Sequence, residues 1–541
     1  MVPRPRAGVV FLLFACLYVL SLGRGLYTSD GVVMFETTRA LAEDGTLALD
    51  PNPELPQIVP GQGGVYYGKY DPGLPLLGIP FYVTGDWLGR VNYAHRYRLA
   101  TTAYLLVPAL SAAGAVTALY ALARQLYGDR RALLVALAAG FGALLWSYAR
   151  ALFPEATLAL ALTGAVGLIV TAGRVAGRGS ERMPGVRFLP LPLTPSPHAE
   201  RGKSGGGVVP SPFDRGRTYD SRDYRGGVNQ NETPEGAFHM QFVAERVLLA
   251  GIVFGAGMLV RAALAIYALP LAVLIVRTSP RGWRARVGRL VTFGAGMTPF
   301  VAGLLWHNDL RFGSLFEFGY AGERFSTLPW EGVLGLLASP GKSVFLYAPP
   351  LVLSVVLWPR FRRAYPALGL FLALAWITAL GFYGAWWAWH GGWCWGPRLL
   401  VPLLPLSCLP LGMLPDRRAW RFAAGVLVAL GIGVNALGVL TDVNQHYGAV
   451  FNTDSVNSDD DAYRTLHTDP AQSPLVGAAQ MVARGETEPL VLFHLKDTGL
   501  PPTWSIGAPL LLLIGLAWGG FVIVRALAHP HASRNCPLPP T

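Results

Sequence analysis

Apolar residues along this chain gather in blocks long enough to cross a bilayer as helices, separated by stretches that are polar, basic, or rich in Gly and Pro. The blocks run over 8–22, 99–122, 132–146, 153–171, 247–259, 262–276, 290–306, 344–357, 367–382, 399–414, 422–440 and 506–524. Arginines cluster at 124–131, at Arg277, Arg281, Arg284, Arg286 and Arg289, at Arg360, Arg362 and Arg363, and at Arg417, Arg418 and Arg421. These clusters occupy alternate connections, as the positive-inside rule requires of cytoplasmic turns. The pattern predicts an all-α integral membrane fold of about twelve transmembrane helices with both termini inside. The first block follows Arg4 and Arg6 and has no small-x-small cleavage site before Arg24, so it reads as a retained signal anchor.

The alternation leaves on the outer face a long first loop (24–97), the turns at 148–155 and Arg261, the stretches 307–342 and 383–398, and a polar segment at 441–505. Within the first loop, 31–44 combines Val32, Val33, Phe35 and Leu41 with Glu36, Glu43 and Asp44, the pattern of a helix lying along the interface. The Pro-rich run 51–60 is expected to stay irregular until the turn Tyr67-Gly68-Lys69-Tyr70-Asp71-Pro72. Five regions follow. They are an N-terminal membrane module carrying the first loop (1–173), an insertion (174–241), the remaining membrane helices and outer loops (242–440), the polar outer segment (441–505), and a last helix with a cytoplasmic tail (506–541). The insertion, rich in Gly, Pro, Ser and Arg, reads as disordered and cytoplasmic. Its sequon Asn231-Glu232-Thr233 then lies on the side where glycosylation does not reach. Segment 441–505, with Asp459-Asp460-Asp461, is either an ordered cap or a flexible loop.

Composition removes several classes. The 541 residues are 52% hydrophobic and only 14% charged, with mean hydropathy +0.39, too little charge to cover a soluble protein of this size. The net charge of +12 sits in the turns rather than on a basic face interleaved with aromatics, which argues against nucleic acid. Cys16, Cys394, Cys408 and Cys536 form no CxxC pair, so neither a disulfide framework nor a thiolate metal site is indicated.

Ionisable groups at a membrane surface are costly to desolvate, so their clusters on the outer face are the candidate chemistry. Asp30, just past the first helix, suits a general base or a ligand organising an acceptor or a metal. The alternative is that Ser29 or Asp30 caps the interfacial helix. Lys69 would grip a phosphate as a point charge, with Asp71 a second carboxylate, or the two are a surface pair of little worth. The stretch 383–398 reads Tyr-Gly-Ala-Trp-Trp-Ala-Trp-His-Gly-Gly-Trp-Cys-Trp-Gly-Pro-Arg. An aromatic belt explains its tryptophans but not Gly391, Gly392, Gly396 and Pro397 leading into Arg398. Such a turn lets backbone approach a ligand, Trp393 and Trp395 offer faces to a sugar ring, and Arg398 offers a bidentate fork to phosphate. Lys342 lies in the tail of a P-loop motif, but position 336 is Leu where that motif needs Gly and no strand precedes it, which argues against an ATP site. With Tyr347 nearby, Lys342 at a helix start is instead a place for a lipid phosphate. His307, Asn308 and Asp309 read as groups capping a helix end, and a lone His390 is no metal signal.

The arrangement resembles the multi-pass C-type (GT-C) glycosyltransferases that use polyprenyl-phosphate sugars, in the protein O-mannosyltransferase, lipid A aminoarabinose transferase and Rgt-like branches. The residues carrying the resemblance are Ser29-Asp30-Gly31, the stretch Tyr67-Gly68-Lys69-Tyr70-Asp71-Pro72-Gly73-Leu74-Pro75-Leu76, Phe153-Pro154-Glu155 and, more loosely, Gly396-Pro397-Arg398. It implies that Asp30 is the catalytic carboxylate, that Lys69 contacts phosphate, and that Glu155 helps build the site. The Asp-Glu pair of the protein mannosyltransferases is absent, since Gly31 follows Asp30, and so is their soluble sugar-binding module. A divalent cation, Mg or Mn, stays open as a cofactor.

The expected activity is therefore transfer of a hexosyl or pentosyl group from a polyprenyl-phosphate donor to a lipid, glycan or protein acceptor. It would take place on the outer face of a bacterial cytoplasmic membrane, facing the periplasm or exterior. Inversion by a single displacement is expected, with Asp30 as base and Lys69, Arg261, Lys342 and Arg398 holding the phosphate. The alternative is a polytopic transporter or lipid flippase, although no repeat of the transporter kind is visible.

Overall fold

The structure, a computed structural model, describes residues 7–23, 25–90, 95–178, 234–453, 458–488, 490, 495 and 500–528. Helix α1 (Ala7–Leu20) is apolar throughout and leads into α2 (Ser29–Glu43). Three short strands follow, β1 (Ala48–Leu49), β2 (Ile58–Pro60) and β3 (Tyr66–Gly68), in antiparallel order β1-β3-β2 with Val59 opposite Tyr67. The proline-rich run is thus not irregular to its end. Pro60 closes an edge strand, where its missing N–H costs the ladder nothing. Helix α3 (Gly73–Gly89) is an element the apolar blocks did not announce.

The bundle proper comprises α4 (Arg96–Tyr104), α5 (Leu106–Tyr127), α6 (Asp129–Gly142), α7 (Leu145–Ala149), α8 (Glu155–Arg178), α9 (Pro234–Val260), α10 (Ala268–Thr278) and α11 (Trp283–Phe312). It continues through α12 (Pro329–Ala338), α13 (Val344–Tyr347), α14 (Pro350–Ala364), α15 (Pro366–Ala385), α16 (Leu404–Ser407) and α17 (Arg418–Leu440). Helices α8 and α9 run into both ends of the expected insertion. The rest of that insertion, with its sequon, lies outside the described residues.

Among the described residues seven helices are long and apolar enough to cross a membrane, and four shorter apolar helices accompany them. The difference from twelve uniform spans has local causes. The block 132–146 divides where Ala143 turns extended between α6 and α7. The block 344–357 divides at Ala348, ahead of Pro349 and Pro350. The block 399–414 becomes 3-10 turns around α16, because Pro402, Pro405 and Pro410 each remove a helical donor. That broken stretch is buried in protein, the setting in which irregular backbone at membrane depth is tolerated.

Helix α8 is the centre, packed against α5 and α9, with 72% of its span buried. The last apolar span, Pro502–Ala528, is the periphery with 11% buried and is read as facing lipid. The polar segment 441–505 is an ordered cap over its described part. It contains α18 (Val443–Phe451), α19 (Asp459–Thr468) and α20 (Pro474–Ala483), and α21 (Pro502–Ser505) leads into α22 (Gly507–Ala528). Asp459, Asp460 and Asp461 occupy the first turn of α19, where acids suit the helix dipole.

The two ends of the bundle differ in kind. At one end lie the arginine-rich turns, where Arg131 donates to Gly412 O at 3.3 Å and pairs with Asp416, and Tyr365 reaches Leu126 O. At the other end α1 exits, α8 begins, α9 ends, and the chain re-enters at Arg398.

Helices α9 and α11 meet backbone to backbone. A Cβ on Gly251 would run into the Phe293 carbonyl, and one on Gly296 into the Leu248 carbonyl. Membrane helices associate through such small residues because lipid supplies no hydrophobic drive between them. Gly251→Leu is expected to lower the thermal stability of the purified protein by about 1–3 kcal/mol through overpacking. Gly303→Leu, on a face of α11 with open space, should leave it unchanged. Equal melting of the two variants would refute this contact.

Candidate active site

Asp30 reaches the site because another residue caps its helix. Thr28, in extended conformation, accepts the Gly31 N–H at 3.1 Å on its hydroxyl, so neither Ser29 nor Asp30 is the cap. Ser29 instead accepts from Gln57 Nε2 at 2.8 Å. Asp30, freed in the first turn of α2, takes Arg398 Nη1 on Oδ2 at 2.9 Å.

Arg398 is the hub. Its Nε lies 3.9 Å from Glu155 Oε1, and its guanidinium sits 4.8 Å over the Phe153 ring. Arg261 Nη1 donates to the same Glu155 oxygen at 3.1 Å. The Glu155 side chain is 1% exposed, while those of Asp30 and Arg398 are 18% and 14% exposed. The glutamate is therefore a floor, and the other two line a cleft. Burial pushes the Asp30 carboxyl up, but the Arg398 guanidinium, with the Tyr70 hydroxyl and Lys69 adding to the pull, holds it below the usual carboxylate range.

Asp71 is a clamp in a neighbouring position. Its Oδ2 accepts the Ala262 N–H at 2.7 Å, tying the first loop to the end of α9. Gly73 permits that approach, since a Cβ there would stand 2.5 Å from Val260 N. Arg311 grips the same loop from beneath, donating to Gly68 O at 2.6 Å and Tyr70 O at 3.1 Å, with Nη2 on Asn308 Oδ1. Asn308 thus orients an arginine, besides bonding Leu315 O beyond its helix. Lys69, at the cleft, pairs with Glu323 Oε1 at 2.8 Å.

The tryptophan-rich turn needs its glycines. Gly391, Gly392 and Gly396 have φ of +76°, +74° and +63°, and Gly396 passes directly over the Tyr347 ring. Three of the expected ligand groups serve this turn instead. Lys342 is fully buried and gives its ammonium to Gly392 O, Cys394 O and Cys394 Sγ at 3.2, 3.0 and 3.2 Å, which corrects its reading as a phosphate ligand. Trp395 is buried edge-on to Tyr347 at 5.2 Å, so neither ring offers an open face to a sugar or a lipid phosphate. Trp393 keeps an exposed side while stacking on Tyr447.

Asp30, Glu155, Arg261 and Arg398 are thus brought into direct contact, with Lys69 and Asp71 at the margin. Sequence reasoning missed Arg311, Phe153 as a ring under Arg398, and Glu323. Arg311 had a signal, a charge in the last turn of an apolar helix, two residues beyond the expected caps. Glu323 had none, because its partner is 254 positions away.

The donor set does not fit a divalent cation. Asp30 and Glu155 are interleaved with arginines, and among the described residues no group of three or more His, Cys, Asp or Glu could hold one.

No family model matches the chain, and no curated protein matches it. Among solved structures it is similar to ArnT from Cupriavidus metallidurans in the apo state, with TM-score 0.46 and 13% identity over 95% of this chain and 74% of that one. The same protein bound to undecaprenyl phosphate gives TM-score 0.46 and 16% identity over 97% and 75%. The archaeal oligosaccharyltransferase AglB from Archaeoglobus fulgidus, in complex with an inhibitory peptide and a dolichol-phosphate, gives 0.39 and 13% over 86% and 60%.

Burial pushes Asp71 up to about 6, against the pull of the Ala262 N–H, Arg311 and Arg261. A carboxyl raised in the fold contributes stability that is complete below its ordinary range and lost as pH rises through about 6. The native protein should therefore lose roughly 2–3 kcal/mol between about pH 4 and about pH 7 through this group. Asp71→Asn, which keeps an acceptor for Ala262, should flatten that slope in thermal melts. An unaltered slope would place the titration elsewhere.

Proposed function

We propose that this protein is a membrane glycosyltransferase that moves a sugar from a polyprenyl-phosphate donor to an acceptor hydroxyl. The setting is the outer face of a bacterial cytoplasmic membrane. The observation that carries the reading is the Asp30–Arg398 pair, 2.9 Å apart beside Arg261 and Glu155, at the end of the bundle away from the arginine-rich turns. A carboxylate next to converging cations matches the two needs of this reaction, a base for the acceptor and positive charge for the leaving phosphate. The acceptor is a lipid, glycan or protein.

In the proposed single displacement the acceptor oxygen attacks the anomeric carbon as Asp30 takes its proton. The bond from that carbon to the phosphate oxygen breaks, and phosphate leaves with the electron pair. Arg398 and Arg261, with Lys69, are assigned to the phosphate. Phosphate needs no general acid to leave, so Glu155 acts by orienting the two arginines rather than by giving a proton. Asp30 is a weak base while Arg398 grips it. A donor phosphate that draws Arg398 away would raise its basicity when acceptor and donor are both present.

Asp30→Asn is expected to reduce transfer of radiolabelled sugar from polyprenyl phosphate about 10²–10⁴-fold at equal expression. The pH profile separates the two carboxylates. With Asp30 as base, kcat/KM, which reports the free enzyme, should stay level as pH falls from about 8 to about 5. With Asp71, transfer should fall through about 6. Undiminished transfer in Asp30→Asn would remove it from the chemistry, and no transfer with any donor would favour a lipid transporter or flippase.

A further inference from the structure

The pairing of Lys69 with Glu323 is unexplained by the reaction itself, since it neutralises a cation assigned to the phosphate. The side chains are 20% and 18% exposed, so the ammonium has little water and needs a counter-charge. Glu323 supplies it with Oε1 and takes the Trp387 indole N–H on Oε2 at 3.2 Å. It belongs to the strap between α11 and α12. Gly319 (φ +78°) presses that strap onto Lys69, and the Tyr320 ring lies 5.1 Å from Nζ. Two backbone bonds fasten its far side, Trp387 N–H to Arg324 O and Thr327 N–H to Ala385 O. No regular helix or strand holds the strap between Gly313 and Leu328. Leu315, Phe316, Phe325 and Leu328 on it are exposed, as are Trp306 of α11 and Trp330 of α12. An apolar rim of this kind, at the end of a membrane helix, suits contact with lipid rather than water.

We propose that Glu323 is a removable counter-ion. It holds Lys69 until a lipid-borne phosphate takes the ammonium over, and the strap carries it aside. This rests on the assignment of the site to a polyprenyl-phosphate donor. The donor is a phosphodiester with one negative charge, whereas the leaving group is a monoester carrying about 1.5–2. Competition with Glu323 therefore tips towards phosphate as the sugar–oxygen bond breaks. Lys69 changes partner along the reaction, and its attraction is greater in the transition state than in the ground state.

The chain holds four lysines, Lys69, Lys203, Lys342 and Lys496, so acylation of single amines can be followed by peptide mass spectrometry. The experiment pulses the full chain, in nanodiscs of neutral phosphatidylcholine, with an amine-acylating reagent at rising undecaprenyl phosphate. Buried Lys342 reports that the fold is intact. Glu323→Gln should speed labelling of Lys69 severalfold, and undecaprenyl phosphate should then protect it at roughly five-fold lower concentration than in the native chain, the fold-change for losing a competing ion pair. Trp387→Phe should act in the same direction. Equal half-protecting concentrations in both chains would overturn the counter-ion while leaving the donor assignment intact. Protection by inorganic phosphate at the same concentration as by the lipid would overturn the lipid-borne ligand. No protection by either would overturn both this inference and the donor assignment.

Discussion

A guanidinium held between two carboxylates governs the working end of this molecule. Arg398 bonds Asp30 and lies beside Glu155, which in turn bonds Arg261. Taking such groups out of water costs several kcal/mol each, and the cost is offset only if every charge finds its partner. Four separate parts of the chain must therefore converge: the first turn of α2, the start of α8, the end of α9, and the turn after α15. That requirement fixes where the first loop docks, and the loop's own details follow from it.

Much of the surrounding structure holds this convergence in place. Lys342, fully buried, ties down the carbonyls of Gly392 and Cys394, and the Tyr447 hydroxyl from the cap reaches Cys394 O from another side. Tyr148 on α7 bonds Trp395 O at 2.9 Å. A turn with three left-handed glycines has little stiffness of its own. Its position is imposed by donors from three other elements, so the arginine at its end is placed by the rest of the fold. Arg311 does the same for the first loop.

The apolar helices and the grouping of Asp30, Glu155, Arg261 and Arg398 were legible in the sequence, because each rests on a local signal. Apolar blocks, arginine-rich turns, and Asp30 and Glu155 at helix starts need no knowledge of the fold. What failed was whatever depends on distant partners. Lys342 and Tyr347 read as ligands because a lysine at a helix start suits a phosphate, and only the fold shows the carbonyls that occupy its ammonium. Helix α3 was hidden because Pro75, Pro80 and four glycines punctuate its apolar run. Thr28 as the cap was missed because three adjacent residues, Thr28, Ser29 and Asp30, share the same capping chemistry, and backbone angles alone separate them.

Charge balance links the site to the proposed reaction. Asp30, Asp71, Glu155 and Glu323 stand against Lys69, Arg261, Arg311 and Arg398, so the cluster is neutral without a ligand when all eight are ionised. A phosphodiester donor adds one negative charge. As the sugar departs, the phosphate gains negative charge. In the same step Asp30 loses its own by taking the acceptor proton. The total across the cleft is unchanged, so little of the surrounding dipole has to reorganise, and the arginine Asp30 no longer needs is free for the phosphate. Pairing Asp30 with Arg398 would therefore couple the two halves of the proposed displacement: whichever anion loses charge releases Arg398 to the one that gains it.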